Sequence, residues 1–292
     1  MDEGAPTTAR LRRVLGRAKR VVIVDAAPQE ADAPERARTV VTGDDIADLA
    51  RVLAVVDGGT GDRCLCPGWP TIQVYGRFGR RIADWTLHHQ TGLRGLGDCD
   101  ADLQDGPALT EWLAERGLTG SREAQAQLAV EQEKQEQRRM RWIRAAPPGL
   151  AEAAAEVAVY SDDLGEAKAQ LAALTRERYP EAAERILLLL AWAGVRSREP
   201  SGGSMWFDMA VLDQLLAEAP DLVLAALADR PPTPAQLDGA AELFCTFEWT
   251  KTHGRDLPEP VRSRLTAHIE ADGTDPQRYR LEHGSYGAER TA

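Results

Sequence analysis

The sequence predicts an α+β N-terminal domain of about four strands, with an antiparallel hairpin, followed by an all-α domain. Short β-branched runs occur only in the first third of the chain. Beyond Leu150, apolar residues recur at helical spacing, with Pro or Gly between most segments. A polar, helix-forming stretch that ends in Ala-Ala-Pro-Pro-Gly separates the two parts. We therefore predict domains at 1–118 and 149–272, a connecting helix and linker at 119–148, and a loose tail at 273–292.

Local patterns predict each element of the first domain. Compact β-branched runs predict strands at Arg20 to Asp25 and Thr39 to Thr42. Alternating apolar residues predict a hairpin from Thr71 to His89, with its turn at Gly79-Arg80. Apolar residues at helical spacing predict helices within residues 46–56 and 107–116, and either a short amphipathic helix or a basic cap within residues 5–19.

The second half is predicted to be entirely helical. Its candidate helices form pairs at intervals of roughly forty residues, the spacing of two-helix solenoid repeats of the HEAT type. No repeated consensus accompanies the spacing, so the alternative is a compact irregular helical bundle. The loop Ser201-Gly202-Gly203-Ser204 lacks the Lys of a phosphate-binding loop, and we interpret it as an inter-helix linker. The predicted helices span 150–159, 165–178, 180–193, 206–218, 221–228, 234–252 and 258–271.

Composition and charge narrow the classes of partner. The formal net charge of −11 disfavours general binding of nucleic acid, unless a local basic patch overrides it. The longest apolar run is too short to cross a membrane, and the first residues lack the apolar segment of a signal peptide. We therefore expect a cytoplasmic protein with no membrane partner, whose four cysteines are thiols.

Candidate chemistry is concentrated in the stretch that opens at Asp62. Cys64 and Cys66 are two residues apart, so an extended chain would direct both sulfurs to one face. With His88 and Cys99 they could form the tetrahedral N/S ligand set that zinc prefers. Because structural zinc sites more often contain Cys-x-x-Cys turns, the alternative is that these cysteines are small buried hydrophobic residues.

The adjacent histidines should face opposite sides of their strand. Alternation with Trp85 and Leu87 places His89 in the core and His88 on the other surface, so the two could not bind one ion without a bulge. A histidine near Arg94 and the thiols could act as a general base, although a hydrogen-bonded structural histidine is the commoner case. His89 and Arg94 complete the candidate functional region.

One resemblance rests on the order of these motifs. Cys-x-Cys-x-Gly at 64–68, a hairpin that ends in His88-His89, Leu93-Arg94 and a helix around Trp112-Leu113 together resemble an N-terminal module of uncharacterised actinobacterial proteins that also carry a helical second half. This resemblance implies an architecture, with no activity or cofactor. The arrangement also resembles bacterial conflict-system immunity proteins.

The sequence completes no catalytic motif, so we predict a protein-binding or adaptor protein rather than an enzyme. Its helical half would offer a surface to a protein partner, and the acidic net charge suits a basic one. The alternative is a metal- or thiol-dependent protein, including an accessory enzyme, built on the Cys64, Cys66, His88, His89 and Cys99 region.

Overall fold

The computed structural model describes residues 4–198 and 204–287, so most of the loop at 201–204 and the last residues of the chain lie outside the described part. The chain divides into two compact units, residues 1–133 and 134–292. This division falls inside the segment 119–148. No helix in the described ranges combines the length and the apolar composition needed to cross a membrane.

The first unit contains one antiparallel sheet of six strands in the order β2-β1-β3-β4-β5-β6. The predicted hairpin is β3 and β4, whose turn is a short 3-10 segment at Arg77–Gly79. Two strands were not predicted, because β5 and β6 are too short for alternation to be recognised. The strands are β1 (Arg20–Val24), β2 (Arg38–Val41), β3 (Thr71–Tyr75), β4 (Arg81–His88), β5 (Gly92–Arg94) and β6 (Ala101–Asp102).

One face of this sheet packs against three helices, α1 (Thr8–Leu15), α2 (Asp45–Val52) and α3 (Gly106–Ala114). α2 ends earlier than predicted, because Val55 bridges to Leu103 and the chain there runs beside the sheet. The shared core is fully buried and includes Leu11, Leu49, Leu113, Ile23, Ile72, Trp85 and Leu87.

The α4 helix (Gly120–Arg144) occupies most of the predicted linker. Its last turns belong to the second unit, where the Trp142 ring lies 4.6 Å from that of Trp192 and the Trp142 carbonyl accepts a bond from Trp192 Nε1 at 2.9 Å. Arg138 forms a buried ion pair with Asp208 at 2.5 Å. These contacts make the end of α4 part of the helical core.

The second unit is helical throughout its described residues, as predicted. Its helices are α5 (Ala151–Val157), α6 (Leu164–Arg178), α7 (Ala182–Ser197), α8 (Trp206–Leu216), α9 (Pro220–Asp229), α10 (Pro234–Phe244), α11 (Phe247–His253), α12 (Val261–Asp272) and α13 (Asp275–Glu282). The segment predicted as one helix at 234–252 is two, because Thr246 caps a new helix after Cys245.

Helix α7 is central to this unit and packs against α8, α9 and α10. The α7 and α10 backbones approach closely, since a Cβ at Gly194 or Gly239 would clash with a carbonyl oxygen of the facing helix. These are the next three helices of the chain, which both a stack of two-helix repeats and an irregular bundle would bring together, so the HEAT-type arrangement stays a prediction.

The segment for which we predict a loose tail contains α13 and fully buried side chains. Gln277 and Tyr286 are both inaccessible to solvent, and the Tyr286 hydroxyl donates to the Ala241 carbonyl of α10 at 3.1 Å. The prediction of a loose tail is therefore wrong for this part of the segment. Its polar residues Gln277 and Tyr286 form hydrogen bonds to residues of α10 instead of to water.

Candidate metal centre

The candidate site lies on the sheet face opposite the three helices, where the loop at residues 58–70 covers the end of β4. Trp69 donates its backbone N–H to the Leu87 carbonyl at 2.6 Å, and Leu87 donates to Pro70 at 3.1 Å. Gly68 allows this approach, because its φ is +75° and a Cβ there would clash with Thr86. The loop therefore holds Cys64 and Cys66 over residues of β4.

Neither thiol of this loop is buried, contrary to the alternative of small core residues. Leu65 between them is fully exposed. Cys64 Sγ lies 3.6 Å from His89 Nε2, and Cys66 Sγ lies 3.1 Å from His88 Nδ1. Each sulfur is thus adjacent to a different histidine.

The predicted orientation of the histidines is wrong for His89. β4 ends at His88, and His89 and Gln90 adopt left-handed backbone angles, with φ of 48° and 61°. Alternation therefore stops, so His89 is exposed while His88 is buried beneath the loop on the Thr86 face. This turn, rather than a bulge, brings the two rings to a centroid separation of 4.1 Å.

The four candidate ligand atoms of Cys64, Cys66, His88 and His89 all lie within 4.8 Å of one another. In a tetrahedral zinc site with ordinary Zn–S and Zn–N lengths, neighbouring ligand atoms are about 3.3 to 3.8 Å apart. The two sulfur–nitrogen distances above are already close to this range. The remaining pairs are separated by at most 4.8 Å.

Cys99 does not join this group. Its neighbour Asp100 directs its carboxylate towards the site, whereas the Cys99 side chain lies on the side of the 58–60 backbone. There its sulfur lies against Gly59, where an added Cβ would clash with it. His89 replaces Cys99 in the predicted ligand set.

Arg94 and Asp100 support the group from behind. Asp100 accepts the Cys64 backbone N–H at 3.1 Å, and its Oδ2 lies 3.6 Å from His88 Nε2. Arg94 pairs with Asp100 and also donates to the carbonyl oxygens of Cys64 and Cys66. His88 thus faces a sulfur with one ring nitrogen and a carboxylate with the other, an arrangement common behind metal-bound histidines.

The protonation of these groups suits metal binding. The hydrogen bond from the Cys66 backbone N–H lowers the pKa of Cys64, which favours its thiolate. Burial lowers the pKa of His88, which favours the neutral ring. Thiolate and neutral imidazole are the forms that bind zinc.

The site is open on one side to a groove of about 440 Å³ within the first unit. Cys66 and His89 line the groove together with Trp69, Gln90 and Leu128. The Gln90 Oε1 is buried and has no hydrogen-bond partner among the described residues. Solvent or a small molecule can therefore reach the thiols and His89.

Sequence reasoning named Cys64, Cys66 and His88 for the candidate metal set but chose Cys99 where the structure brings His89, and it missed Asp100 and the supporting role of Arg94. The only available signal was the closeness of Asp100 to Cys99. No family model, curated protein or solved structure matches this chain. The resemblance to actinobacterial two-part proteins stays a prediction.

Proposed function

We propose that the first unit binds one zinc ion through Cys64, Cys66, His88 and His89. The observation that carries this proposal is the convergence of two thiols and two imidazoles within 4.8 Å, with a carboxylate behind His88. Two sulfur and two nitrogen ligands form a common structural zinc set.

The proposed role of the ion is to fasten a loop to the sheet. Two ligands come from the loop at 58–70, which has no regular secondary structure, and two come from the end of β4. Because four protein ligands close the tetrahedral shell, the ion would be structural rather than catalytic. Zinc binding would then stabilise the loop and the first unit together.

Elemental analysis of protein purified without a His tag tests this proposal. We expect about one zinc per chain, and loss of that zinc in the double variant Cys64→Ser/Cys66→Ser. The matched control is Cys99→Ser/Cys245→Ser, which removes the other two thiols and should retain the metal. Equal loss from both variants, or metal-free protein after supply of zinc, would contradict a site at these residues. Selective alkylation of Cys64 in a metal-free protein would favour the thiol alternative.

The second candidate function, protein binding by the helical unit, is favoured by an exposed aromatic patch. Tyr160 is 75% exposed and Val159 is 51% exposed. Tyr160 packs edge-on against Trp206 at 5.4 Å, which holds its ring in place while its outer surface stays open. Exposed aromatic side chains on a rigid support are typical of binding surfaces.

Quantitative affinity enrichment from host extract tests this second candidate. We expect a specific protein to be enriched by the full chain and lost with Tyr160→Ala. Tyr279→Ala, which removes a comparably exposed tyrosine from α13, should retain it. Equal recovery with both variants would place binding elsewhere.

A further inference from the structure

Two basic segments meet at one end of the sheet, beside the first residues of β4. The proposed metal ligands lie at the opposite end of that strand. Residues 10–20 contain six Lys and Arg residues, residues 77–81 contain three, and neither segment contains Asp or Glu. Lys19 donates its backbone N–H to the Tyr75 carbonyl at 2.8 Å, which joins the first segment to the strand that precedes the second. The tertiary structure therefore concentrates positive charge in a chain whose net charge is −11.

The two segments surround a depression of about 690 Å³. Its cationic lining residues are Arg17, Lys19, Arg77, Arg80 and Arg81. Arg81 is paired with Asp84 at 2.9 Å, whereas the other four side chains have no carboxylate partner among the described residues. Four unneutralised cations around a concave surface favour the binding of phosphate groups.

Phe78 lies beside this depression, at the tip of the β3–β4 turn. Its side chain is fully exposed, and its φ is 59°, a value that residues other than glycine seldom adopt. The ring contributes nothing to the core, so packing does not account for an aromatic residue here. An exposed ring next to arginines is the combination with which proteins bind single-stranded nucleic acid, because any base can stack on the ring.

We propose that this surface, defined by Arg17, Lys19, Arg77, Phe78 and Arg80, binds single-stranded nucleic acid. The phosphates would occupy the depression and a base would stack on Phe78. A duplex cannot offer an unstacked base to the ring. A membrane surface is less favoured, because the cations line a depression and Phe78 is the only large apolar side chain at the turn tip. The acidic remainder of the protein would repel the strand elsewhere and so confine it to this patch.

Fluorescence anisotropy with the full chain tests the proposal directly. The nucleic-acid probes are a labelled 12-nucleotide single strand, as DNA and as RNA, and the same sequence as a duplex. Vesicles that contain phosphatidylserine test the membrane alternative. We expect the single strand to bind more tightly than the duplex. Four phosphate contacts should give a slope of log affinity against log salt of about −3.

Matched variants separate this patch from general charge effects. We expect Arg77→Glu/Arg80→Glu to weaken binding at least about tenfold, and Phe78→Ala to weaken single-strand binding by roughly 5- to 100-fold. The controls are Arg176→Glu/Arg230→Glu, with the same change in charge, and Phe247→Ala, with the same loss of an exposed ring. Both should bind as the unaltered chain does.

Four outcomes would overturn the proposal. They are no binding of the single strand, equal affinity for single strand and duplex, no difference between the patch variants and their controls, or binding to the vesicles alone. Since Phe78 and both arginines are exposed, their variants should keep the circular dichroism spectrum and melting temperature of the unaltered chain.

Discussion

Arg94 and Asp100 form a two-point ion pair beneath the candidate zinc ligands, with Nε to Oδ1 and Nη2 to Oδ2 both at 2.9 Å. The same guanidinium donates to the carbonyl oxygens of Cys64 and Cys66. One side chain therefore fixes both the carboxylate behind His88 and the backbone that carries the two thiols. Without Arg94, the proposed ligands would have to be ordered by the metal itself.

Arg94→Lys should weaken zinc binding by about 10- to 100-fold, the usual effect of losing a group that orients metal ligands. Lysine keeps the charge but cannot reproduce the planar, multiple donation of arginine. Competition with a chromophoric chelator measures the affinity. Arg81→Lys, in an exposed pair with Asp84, is the matched control and should leave the affinity unchanged. Equal affinities for the two variants would show that Arg94 does not position the ligands.

Asp238→Asn should destabilise the second unit by about 1 to 3 kcal/mol, because the buried His268 and Gln277 lose the charged acceptor to which they bond. Asp238 is 3% exposed and accepts from Arg198, from His268 at 2.9 Å and from Gln277 at 3.4 Å. Urea unfolding measures the change. Asp229→Asn, on the exposed end of α9, should alter the free energy of unfolding by less than about 0.5 kcal/mol. A similar small effect of Asp238→Asn would rule out this carboxylate as an anchor of α12 and α13.

Tyr286 should make the folded state sensitive to alkaline pH. Burial raises the pKa of its hydroxyl above the ordinary value near 10. At pH values between the ordinary and the raised pKa, the unfolded chain has lost this proton and the folded chain keeps it. The stability contributed by this group is therefore complete below about pH 10 and is lost above it, by at most about 1.4 kcal/mol per pH unit.

Comparison with Tyr286→Phe isolates this titration. The variant should lose about 1 kcal/mol at neutral pH, with the hydrogen bond to Ala241. Its stability should then fall less steeply than that of the unaltered chain between pH 10 and 11, when both are followed by denaturant unfolding. Parallel curves would mean that Tyr286 is accessible to water in the folded protein.

A fragment of residues 121–292 should unfold cooperatively, whereas 149–292 should be unstable. The shorter fragment lacks Trp142, which is 2% exposed in the helical core, and Arg138, whose loss leaves Asp208 buried without its ion pair. Thermal unfolding by circular dichroism decides between them. Cooperative unfolding of both fragments would show a loose linker, and aggregation of both would show that the helical half does not fold alone.

The sequence determined the fold class, because the relevant signals are local. Alternation from Thr71 onwards specified the β3–β4 hairpin, and helical spacing specified the second half. It also placed the candidate chemistry at Cys64, Cys66 and His88 through residue type alone. Short strands such as β6, with two residues, carry no such periodic signal.

Only the tertiary structure decided which side chains meet. His89 approaches the thiols, because the backbone turns left-handed where β4 ends, and Asp100 reaches His88 from the position just before β6, a strand that the sequence did not reveal. Likewise, the cations at 10–20 and 77–81 form one surface only because β1 pairs with β3. Residue patterns report the period of a helix or strand, whereas a site depends on where elements end and which of them are neighbours, and long-range packing fixes both.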